Sequence, residues 1–201
     1  LVRRAQRSLD GQYYQSRDDA TGRYFLRALR DAARRGVRVR LLLDDLYTSG
    51  EDELLLGLAA TPNLELRLFN PFPAGRSSML QRFVASLFDF DRVNRRMHNK
   101  LLIAEGAMAI AGGRNIGDSY FRQTNDENFL DVDIFVAGAL LPRLGELFDR
   151  YWNSEHVRSI ASIVAATSSR DQLEVEFERA TGPDSTPAPR APAPNDLLGY
   201  G

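Results

Sequence analysis

The sequence contains no cysteine among its 201 residues. A disulfide framework, a thiolate nucleophile and a cysteine-ligated metal are therefore excluded. No stretch approaches the roughly 18 to 20 consecutive apolar residues that a membrane-spanning helix needs. Neither sign of charge dominates, since 26 basic residues stand against 27 acidic ones and leave a net charge of -1. A global electrostatic attraction to nucleic acid is thus missing, and any basic site must be local.

Lysine and histidine are almost missing too. All but one of the basic residues are arginine, the exception being Lys100, and the two histidines are His98 and His156. The single lysine thus lies two positions from one of the histidines. An ammonium differs from a planar guanidinium in shape and hydration, so a phosphate site shaped for lysine need not accept arginine. The pair at 98 and 100 is therefore a candidate site, whereas His156, which has no lysine partner, is interpreted as a core or surface residue.

The apolar pattern predicts an α/β fold. Strands are predicted at 8–15, 37–45, 63–69, 100–105, 107–113 and 129–138, and helices at 22–35, 52–60, 76–91 and 140–152. The continuous leucine run of 37–45 indicates a strand that is buried on both faces, as parallel strands are. Strands and helices alternate over the first part of the chain, which favours a mixed, mostly parallel β-sheet flanked by helices on both faces.

The ordered part is predicted to be one domain over residues 1–165. Residues 181–201 hold five of the nine prolines among Ala, Ser, Thr and Asp, so 166–201 is predicted to be a disordered tail. The chain starts at Leu1, already inside an apparent helix, which suggests that the domain is truncated at its N-terminus.

One stretch of the chain carries residues that suit phosphate chemistry. His98 and Lys100 are two positions apart, so an extended strand projects both side chains from one face. Asn115 follows Gly112 and Gly113 closely, where glycines let backbone N–H groups and an amide side chain approach a bound anion. Together these residues predict a phosphate pocket that contains a nucleophile.

These residues resemble the motif of the phospholipase D superfamily, in which His-x-Lys is followed by four residues and an acid, then by a Gly-Gly/Ser-x-Asn segment. The acid here is Glu105, where the family usually has Asp, and it is expected to anchor a turn or pair with a basic neighbour. Over residues 3–160 the chain resembles the amino-terminal half of bacterial cardiolipin synthases of the phospholipase D type. The resemblance is carried by QYY at 12–14, RGVRVRLLLDD at 35–45, RLFNPF at 67–72, RRMHNK, GGRNIGDSYF, DVD at 131–133 and YWNS at 151–154.

The resemblance implies a two-step displacement at phosphorus that requires no metal and no other cofactor. His98 is the implied nucleophile and forms a phosphohistidine, which divides one difficult displacement into two easier ones. Lys100 and Asn115 are implied to hold the non-bridging oxygens, where charge accumulates. Asp131 is the candidate for orienting His98 through its other ring nitrogen, with Asp133 as the alternative.

Only one copy of the motif is present. Two-motif members of the superfamily are more than twice as long, and they take from the second copy the histidine that protonates the leaving alcohol. Nothing after residue 120 resembles a second His-x-Lys. Three alternatives stay open: the chain dimerises across a twofold axis as single-motif members do, it is a fragment of a longer synthase, or it is an inactive anion-binding module.

The implied function is that of a phosphatidyltransferase or phosphodiesterase acting on an anionic phospholipid, with phosphatidylglycerol as the expected substrate. The expected location is the membrane surface of a bacterium, peripheral, on the cytoplasmic or inner-membrane face. The alternative is a single-motif, nuclease-like phosphodiesterase, which the net charge of -1 disfavours. Arg92, Arg95, Arg96 and Lys100 form a basic cluster that either attracts headgroups or is a solvated face.

Two pairs of residues are given structural interpretations. Asp44 and Asp45 end a buried strand, where open α/β sheets place ligand sites, but a cap for the following helix is favoured. Tyr13 and Tyr14 are interpreted as packing residues rather than substrate contacts.

Overall fold

The computed structural model describes residues 1–72, 95–125 and 128–190. Its strands are β1 (Ser8–Tyr13), β2 (Arg38–Asp44), β3 (Leu64–Phe69), β4 (Lys100–Ala104), β5 (Met108–Gly112), β6 (Asp133–Ala137) and β7 (Val157–Ser159). Its helices are α1 (Ala20–Arg34), α2 (Asp52–Ala59), α3 (Leu141–Trp152), α4 (Ile160–Ile163) and α5 (Arg170–Thr181). Within the described residues the seven strands form one sheet in the order β6-β5-β4-β1-β2-β3-β7. None of the described helices is long and apolar enough to cross a membrane. The predicted helix at 76–91 lies outside the described residues.

Parallel pairing is confined to the centre of the sheet. β1 pairs with β2 and β2 with β3 in parallel, whereas the four other pairings are antiparallel. The predicted mixed α/β sheet with helices on both faces is confirmed, but the expectation that parallel pairs dominate is wrong. The apolar pattern indicates where strands lie and leaves their direction open, because hairpin strands and crossover strands bury the same residue types.

Burial on both faces accounts for the leucine run of β2. Leu41 and Leu43 belong to the core that includes side chains of α1, α2 and α5, and Leu42 belongs to the core with α3. All three leucines are at most 1% exposed. A strand between two helical layers carries apolar side chains at consecutive positions instead of alternate ones, so this part of the prediction agrees with the structure.

Local sequence signals set both ends of α1. The carboxylate of Asp19 accepts a hydrogen bond from the N–H of Gly22 at 2.9 Å, which satisfies one of the free donors of the first turn. Leu26 and Leu29 lie on the buried face. Gly36 follows the helix with a φ of 93°, the left-handed conformation that glycine adopts with little strain.

The predicted disordered tail is wrong where it contains helix α5. The helix begins with a capping box, in which the Ser169 side chain accepts from the N–H of Gln172 and the Gln172 side chain accepts from the N–H of Ser169. Leu173 and Phe177, four residues apart, are buried on the α1 and α2 side of the sheet. The proline-rich composition that suggested disorder starts only after this apolar pair. Residues 191–201 of the predicted tail lie outside the described residues.

Strand β6 forms an outer edge of the sheet and is shorter than the predicted strand at 129–138. Two of its apolar side chains are open to solvent, Ile134 at 58% and Phe135 at 63%, and the preceding Val132 is 76% exposed. Val136 is partly buried against the core that includes α3. Within the described residues β6 pairs only with β5. An apolar edge that leaves backbone groups unpaired is typical of a surface that another domain or chain covers.

The sheet places three segments of the site side by side. Lys100, the first residue of β4, pairs with Tyr13, the last residue of β1. Asp44 is the last residue of the neighbouring strand β2. Because β4 runs antiparallel to β1, the segment that carries His98 reaches the edge where the parallel strands end, and open α/β sheets bind ligands at that edge.

Candidate active site

The structure brings His98 and Lys100 together. The ammonium Nζ of Lys100 lies 3.2 Å from Nδ1 of His98 and donates to the His98 carbonyl oxygen at 2.8 Å. The imidazole is exposed, whereas only 9% of Lys100 is accessible. Because an ammonium has no lone pair, it is the donor to Nδ1, which is therefore unprotonated in this arrangement. The predicted juxtaposition of imidazole and ammonium is present.

The surroundings favour the neutral form of the imidazole. Partial burial, followed by the positive charge of Lys100, lowers the pKa of His98 below its ordinary value. Burial also lowers the pKa of Lys100, and the negative charge of Asp131 opposes that shift. A neutral imidazole is the form that can attack an electrophile. The pair thus supplies a nucleophile and, beside it, a cation for an anionic group.

Tyr14, which the sequence analysis interpreted as a packing residue, lies against both groups. Its ring centroid is 4.1 Å from that of His98, with 46° between the planes, and 5.2 Å from Nζ of Lys100. Tyr47 meets the Tyr14 ring edge-on at 5.2 Å. The pKa of the Tyr14 hydroxyl is raised, first by burial and then by a hydrogen bond with Tyr47. No local pattern predicts this contact, because it arises from the pairing of β1 with β4.

Asp44 is buried and ties the histidine segment to the end of β2. One carboxylate oxygen accepts from the N–H of Leu46 at 2.9 Å, and the other accepts from the N–H of Met97 at 2.8 Å. The guanidinium of Arg96 donates to the same carboxylate at 3.1 Å. Burial raises the pKa of Asp44, against the opposing charge of Arg96. Asp44 thus caps a short 3-10 turn at Asp45–Tyr47 and not the helix α2, which begins after Glu51. In addition, Asp44 fixes the residue that precedes His98.

The predicted basic cluster is divided by the structure. Arg96 is committed to the buried ion pair with Asp44, so its charge is largely compensated. Arg95 is exposed, and Arg92 lies outside the described residues. Attraction of anionic headgroups by the described members would therefore rest on Arg95 and Lys100.

Asn115 is buried in the loop that follows β5. Its carbonyl Oδ1 accepts from the N–H of Gln15 at 3.2 Å, and its Nδ2 donates to the hydroxyl of Tyr120 at 3.0 Å. These bonds connect the loop to the chain just beyond β1. The amide nitrogen carries two hydrogens, so one donor remains beyond the bond to Tyr120.

A close approach of the chain before β6 explains Gly112 and Gly113. A side chain at Gly112 would collide with the Asp133 carboxylate and the Val132 carbonyl, and one at Gly113 would collide with the Asp131 carboxylate. The N–H of Gly113 donates to the carbonyl of Val132 at 3.2 Å. The structure thus gives these glycines a packing role, and their role as a phosphate cradle stays a prediction.

Asp131 acts on the ammonium rather than on the imidazole. Its charge opposes the lowering of the Lys100 pKa by burial, and among the described residues the ring of His98 contacts Lys100 and Tyr14 without a hydrogen bond to a carboxylate. Asp133 lies 3.5 Å from the guanidinium of Arg114. The orienting bond that the sequence analysis assigned to Asp131, or alternatively to Asp133, is therefore not formed in this structure.

Glu105 anchors the turn between β4 and β5, the role that was expected of it. Its Oε1 accepts from the N–H groups of Gln6 at 2.9 Å and Arg7 at 3.0 Å. The bond from Arg7 contributes most to lowering the pKa of Glu105. The motif carboxylate thus holds the segment before β1 and does not face the imidazole.

The second histidine lies at another place in the sheet. The carbonyl of His156 accepts from the N–H of Asn70 at 2.7 Å, and its ring centroid is 6.1 Å from that of Phe69. No contact in the described part of the chain joins it to His98. The interpretation of His156 as a structural residue agrees with these contacts.

A cavity of about 430 Å³ opens beside Lys100. Its lining is mostly apolar and comes from the strands and loops around β4 and β5, with Phe25, Leu102, Ile110, Phe121 and Phe135 among the apolar members and Lys100, Arg114 and Asp133 as the charged ones. Such a cavity suits a molecule with an anionic group and an apolar body. In the described part of the chain, no group of three or more His, Asp or Glu side chains is arranged to hold a metal ion.

Comparison with known families matches residues 1–152 to the family described as "Cardiolipin synthase, PLD-like domain". The chain is 43% identical over 164 residues to cardiolipin synthase C of Escherichia coli K12, an alignment that covers 82% of this chain and 34% of that protein. It is 27% identical over 152 residues to cardiolipin synthase A of Pseudomonas fluorescens Pf-5, covering 75% of this chain and 29% of the relative. The chain therefore spans about a third of the length of these relatives.

Solved structures share the fold at low sequence identity. Nuc of Salmonella typhimurium, described as a phospholipase D family member, superposes with a TM-score of 0.50 at 19% identity, covering 79% of this chain and 84% of Nuc. Phosphatidylserine synthase of Haemophilus influenzae superposes with a TM-score of 0.57 at 13% identity, covering 90% of this chain and 39% of that enzyme.

Proposed function

Because the chain belongs to the family of cardiolipin synthase, phospholipase D-like domains, we propose that it is one half of a phosphatidyltransferase or phosphodiesterase of the phospholipase D type. The observation that carries this proposal is the contact between His98 and Lys100, with Nζ 3.2 Å from Nδ1. A partly exposed imidazole that is kept neutral and touches an ammonium is the arrangement that nucleophilic attack on a phosphodiester requires.

The proposed reaction proceeds in two displacements at phosphorus. A neutral His98 attacks the phosphodiester of phosphatidylglycerol, a phosphorus–nitrogen bond forms, and the bond to the glycerol oxygen breaks. Glycerol leaves with a proton from a second histidine, and the hydroxyl of another phosphatidylglycerol then displaces His98 and returns its proton to that group. Cardiolipin and glycerol are the products, and no metal or cofactor enters the balance.

The cationic and amide groups would stabilise the charge that develops on the non-bridging oxygens. A phosphoryl oxygen would bind Nζ of Lys100 and take the place of Nδ1 of His98 as the acceptor. The neutral imidazole would then be free to attack phosphorus. Asn115 would contribute its remaining N–H, and Asp131 would keep Lys100 charged despite burial. The mostly apolar cavity beside Lys100 supports a phospholipid rather than a nucleic acid as the substrate.

The second histidine is proposed to come from a second phospholipase D-like half. The chain spans 34% of the length of cardiolipin synthase C, and β6 exposes Ile134 and Phe135 beside the cavity that Lys100 lines. A second half, from a partner copy or from the remaining length of a longer chain, would cover this edge and bring its own imidazole to the phosphorus. We place the assembled enzyme peripherally at a bacterial membrane.

A turnover assay with two substrates tests the proposal. The chain is incubated with vesicles of phosphatidylglycerol and, separately, with single-stranded DNA, and His98→Asn is compared with His156→Asn as the matched control. With the second half present, as a partner copy or within the longer chain, we expect cardiolipin from the wild type and from the control and none from His98→Asn. Unchanged turnover in His98→Asn would disprove the assignment, DNA cleavage alone would favour the nuclease-like alternative, and a monomer inactive on both would favour a non-catalytic half.

A further inference from the structure

Tyr14 contacts both His98 and Lys100, and its interpretation as a packing residue does not explain these contacts. Its ring lies across the imidazole of His98 at 4.1 Å between centroids and also faces the ammonium of Lys100 at 5.2 Å. One aromatic face thus meets both groups of the proposed catalytic pair. A residue that only filled the core would have no reason to meet the nucleophile and the cation together.

We infer that Tyr14 is a positioning residue, which holds the imidazole of His98 and the ammonium of Lys100 in their reactive arrangement. This inference rests on the proposed function for its catalytic meaning, but the arrangement itself can be measured without turnover. Tyr14 does not touch the reacting phosphorus in this account, and its effect passes through the two groups that do.

The imidazole needs such a restraint. A histidine side chain turns about two bonds, and an exposed ring otherwise samples several rotamers. In the described part of the chain, His98 is restrained by Lys100 and Tyr14, and Lys100 is itself a flexible side chain on four methylenes. The aromatic ring is the stiffer of the two restraints. Misplacement of a reacting group by about 1 Å can reduce the rate by about 100-fold.

The ring of Tyr14 is itself held in place. Tyr14 directly follows Tyr13, which pairs with Lys100 in the sheet, so the backbone brings it to the ammonium. Tyr47 packs edge-on against the ring at 5.2 Å. Because the ring is fixed relative to the sheet, it can restrict the rotation of the His98 imidazole.

The same ring stabilises the ammonium. A cation over an aromatic face within about 6 Å of the centroid is attracted by the ring quadrupole. The face of Tyr14 thus offers Lys100 a second favourable contact besides Nδ1 and the carbonyl of His98. The charge required to bind a phosphoryl oxygen is kept next to the nucleophile.

The test compares Tyr14→Leu with Tyr14→Phe. Leucine fills much of the volume but offers no aromatic face, whereas phenylalanine keeps the face and loses only the hydroxyl. Tyr24→Leu is the matched control, because Tyr24 is a half-buried tyrosine of α1 whose ring contacts Arg3 and Arg27. Thermal unfolding of all three variants verifies that the sheet is intact.

The first measurement is the NMR titration of the imidazole protons in the unliganded chain. The sequence has two histidines, so His98 gives one signal and His156 serves as an internal reference. Loss of the ring exposes the imidazole, so we expect the His98 signal to shift and its pKa to rise in Tyr14→Leu. Both should stay near the wild-type values in Tyr14→Phe and Tyr24→Leu. The other titratable or charged groups around the pair, Lys100, Tyr47, Asp44 and Arg96, are unchanged in every variant.

The second measurement is the kinetics of cardiolipin formation from phosphatidylglycerol. We expect kcat of Tyr14→Leu to fall by about 10- to 100-fold, with KM within about twofold, and Tyr14→Phe to keep most of the activity. An unchanged His98 titration in Tyr14→Leu would overturn the inference, as would a Tyr14→Phe variant as impaired as Tyr14→Leu. The proposed function fails separately, if the NMR effects are present while the wild type, assayed together with its second half, forms no product.

Discussion

Glu105 illustrates, at the scale of the single residue, how a motif carboxylate acts without facing the reacting groups. It accepts hydrogen bonds from the backbone N–H groups of Gln6 and Arg7, a hundred positions away in the chain. Glu in place of the usual Asp makes the side chain longer and keeps the negative charge that accepts these hydrogen bonds. The motif acid therefore contributes to the stability of the fold.

Replacement of Glu105 by Gln should lower the free energy of unfolding by about 1 kcal/mol at neutral pH, because neutral acceptors bind N–H groups less strongly and the site is partly screened by solvent. The pKa of Glu105 is lowered in the folded state. Its contribution is thus fully present above the usual carboxyl range and is lost as the pH falls below about 4. Urea unfolding of both proteins at several pH values measures the difference.

The control for this prediction is Glu146→Gln, a change at an exposed position of α3, where an effect within about 0.5 kcal/mol is expected. A constant difference between Glu105→Gln and wild type from pH 7 to pH 3 would contradict the account.

Individual residues also show which parts of the candidate site could be predicted from the sequence. The spacing of His98 and Lys100 predicts their contact, because two positions on extended backbone share a face whatever the rest of the fold does. Tyr14 and the tether from Asp44 to Met97 depend on which strands lie side by side. Pairing between distant segments has no local signature, so these two could not be predicted.

At the scale of elements, the segment that carries the nucleophile is held by a buried carboxylate at the end of β2. The side chain of Asp44 is fully buried and that of Arg96 is 10% exposed. Two backbone N–H groups complete the carboxylate's hydrogen bonds. A buried pair of this kind is destabilising to break, because the remaining charge loses its partner.

Asp44→Asn should therefore lower the free energy of unfolding by about 3 kcal/mol. It should also reduce turnover, because the segment before His98 loses part of its anchor. Chemical denaturation measures the first effect and the phosphatidylglycerol assay the second.

Asp18→Asn is the matched control for that change. Asp18 pairs with Arg23, but both side chains are more than a third exposed, at 40% and 34%, so the expected cost is below about 1 kcal/mol. Equal effects of the two substitutions would contradict a special role for the buried pair.

Helix α5, which lies in the predicted disordered tail, is expected to contribute to the stability of the fold. Phe177 is 2% exposed and lies close to α2, where a Cβ at Gly57 would come within 2.8 Å of the Phe177 Cβ. Phe177→Ala should lower the free energy of unfolding by about 3 kcal/mol, whereas Val175→Ala on the same helix, 68% exposed, should change it by less than about 0.5 kcal/mol. If α5 were not part of the fold, Phe177→Ala would leave the free energy of unfolding unchanged, as Val175→Ala does.

The elements that could be predicted are those with strong local patterns. The leucine run of β2, the amphipathic face of α1 and the hairpin of β4 and β5 lie within a few residues of their predicted bounds. The expected dominance of parallel pairs was wrong, because the direction of pairing between distant strands depends on the chain's return path. The end of the domain was wrong, because it was inferred from composition averaged over α5 and the prolines after it.

At the scale of the whole molecule, the proposed mechanism needs two histidines, and this chain would supply one of them. It spans about a third of the length of its cardiolipin synthase relatives, 34% and 29% in the two cases compared. Its net charge of -1 provides no general attraction to anionic surfaces, so recognition of a phospholipid would depend on Lys100 and the adjoining apolar cavity. The exposed edge at β6 is where the proposed second half would bind.

The proposed mechanism requires that the imidazole of His98 becomes bonded to phosphorus during the reaction. The measurement that tests this bond is mass spectrometry of the chain after incubation with labelled phosphatidylglycerol and quenching in denaturant at mildly alkaline pH, where the phosphorus–nitrogen bond survives and the acyl esters stay intact. We expect a phosphatidyl group on the peptide that contains His98 in the wild type and in His156→Asn, and none in His98→Asn. Label on any other residue, or product formed by His98→Asn, would contradict the claim.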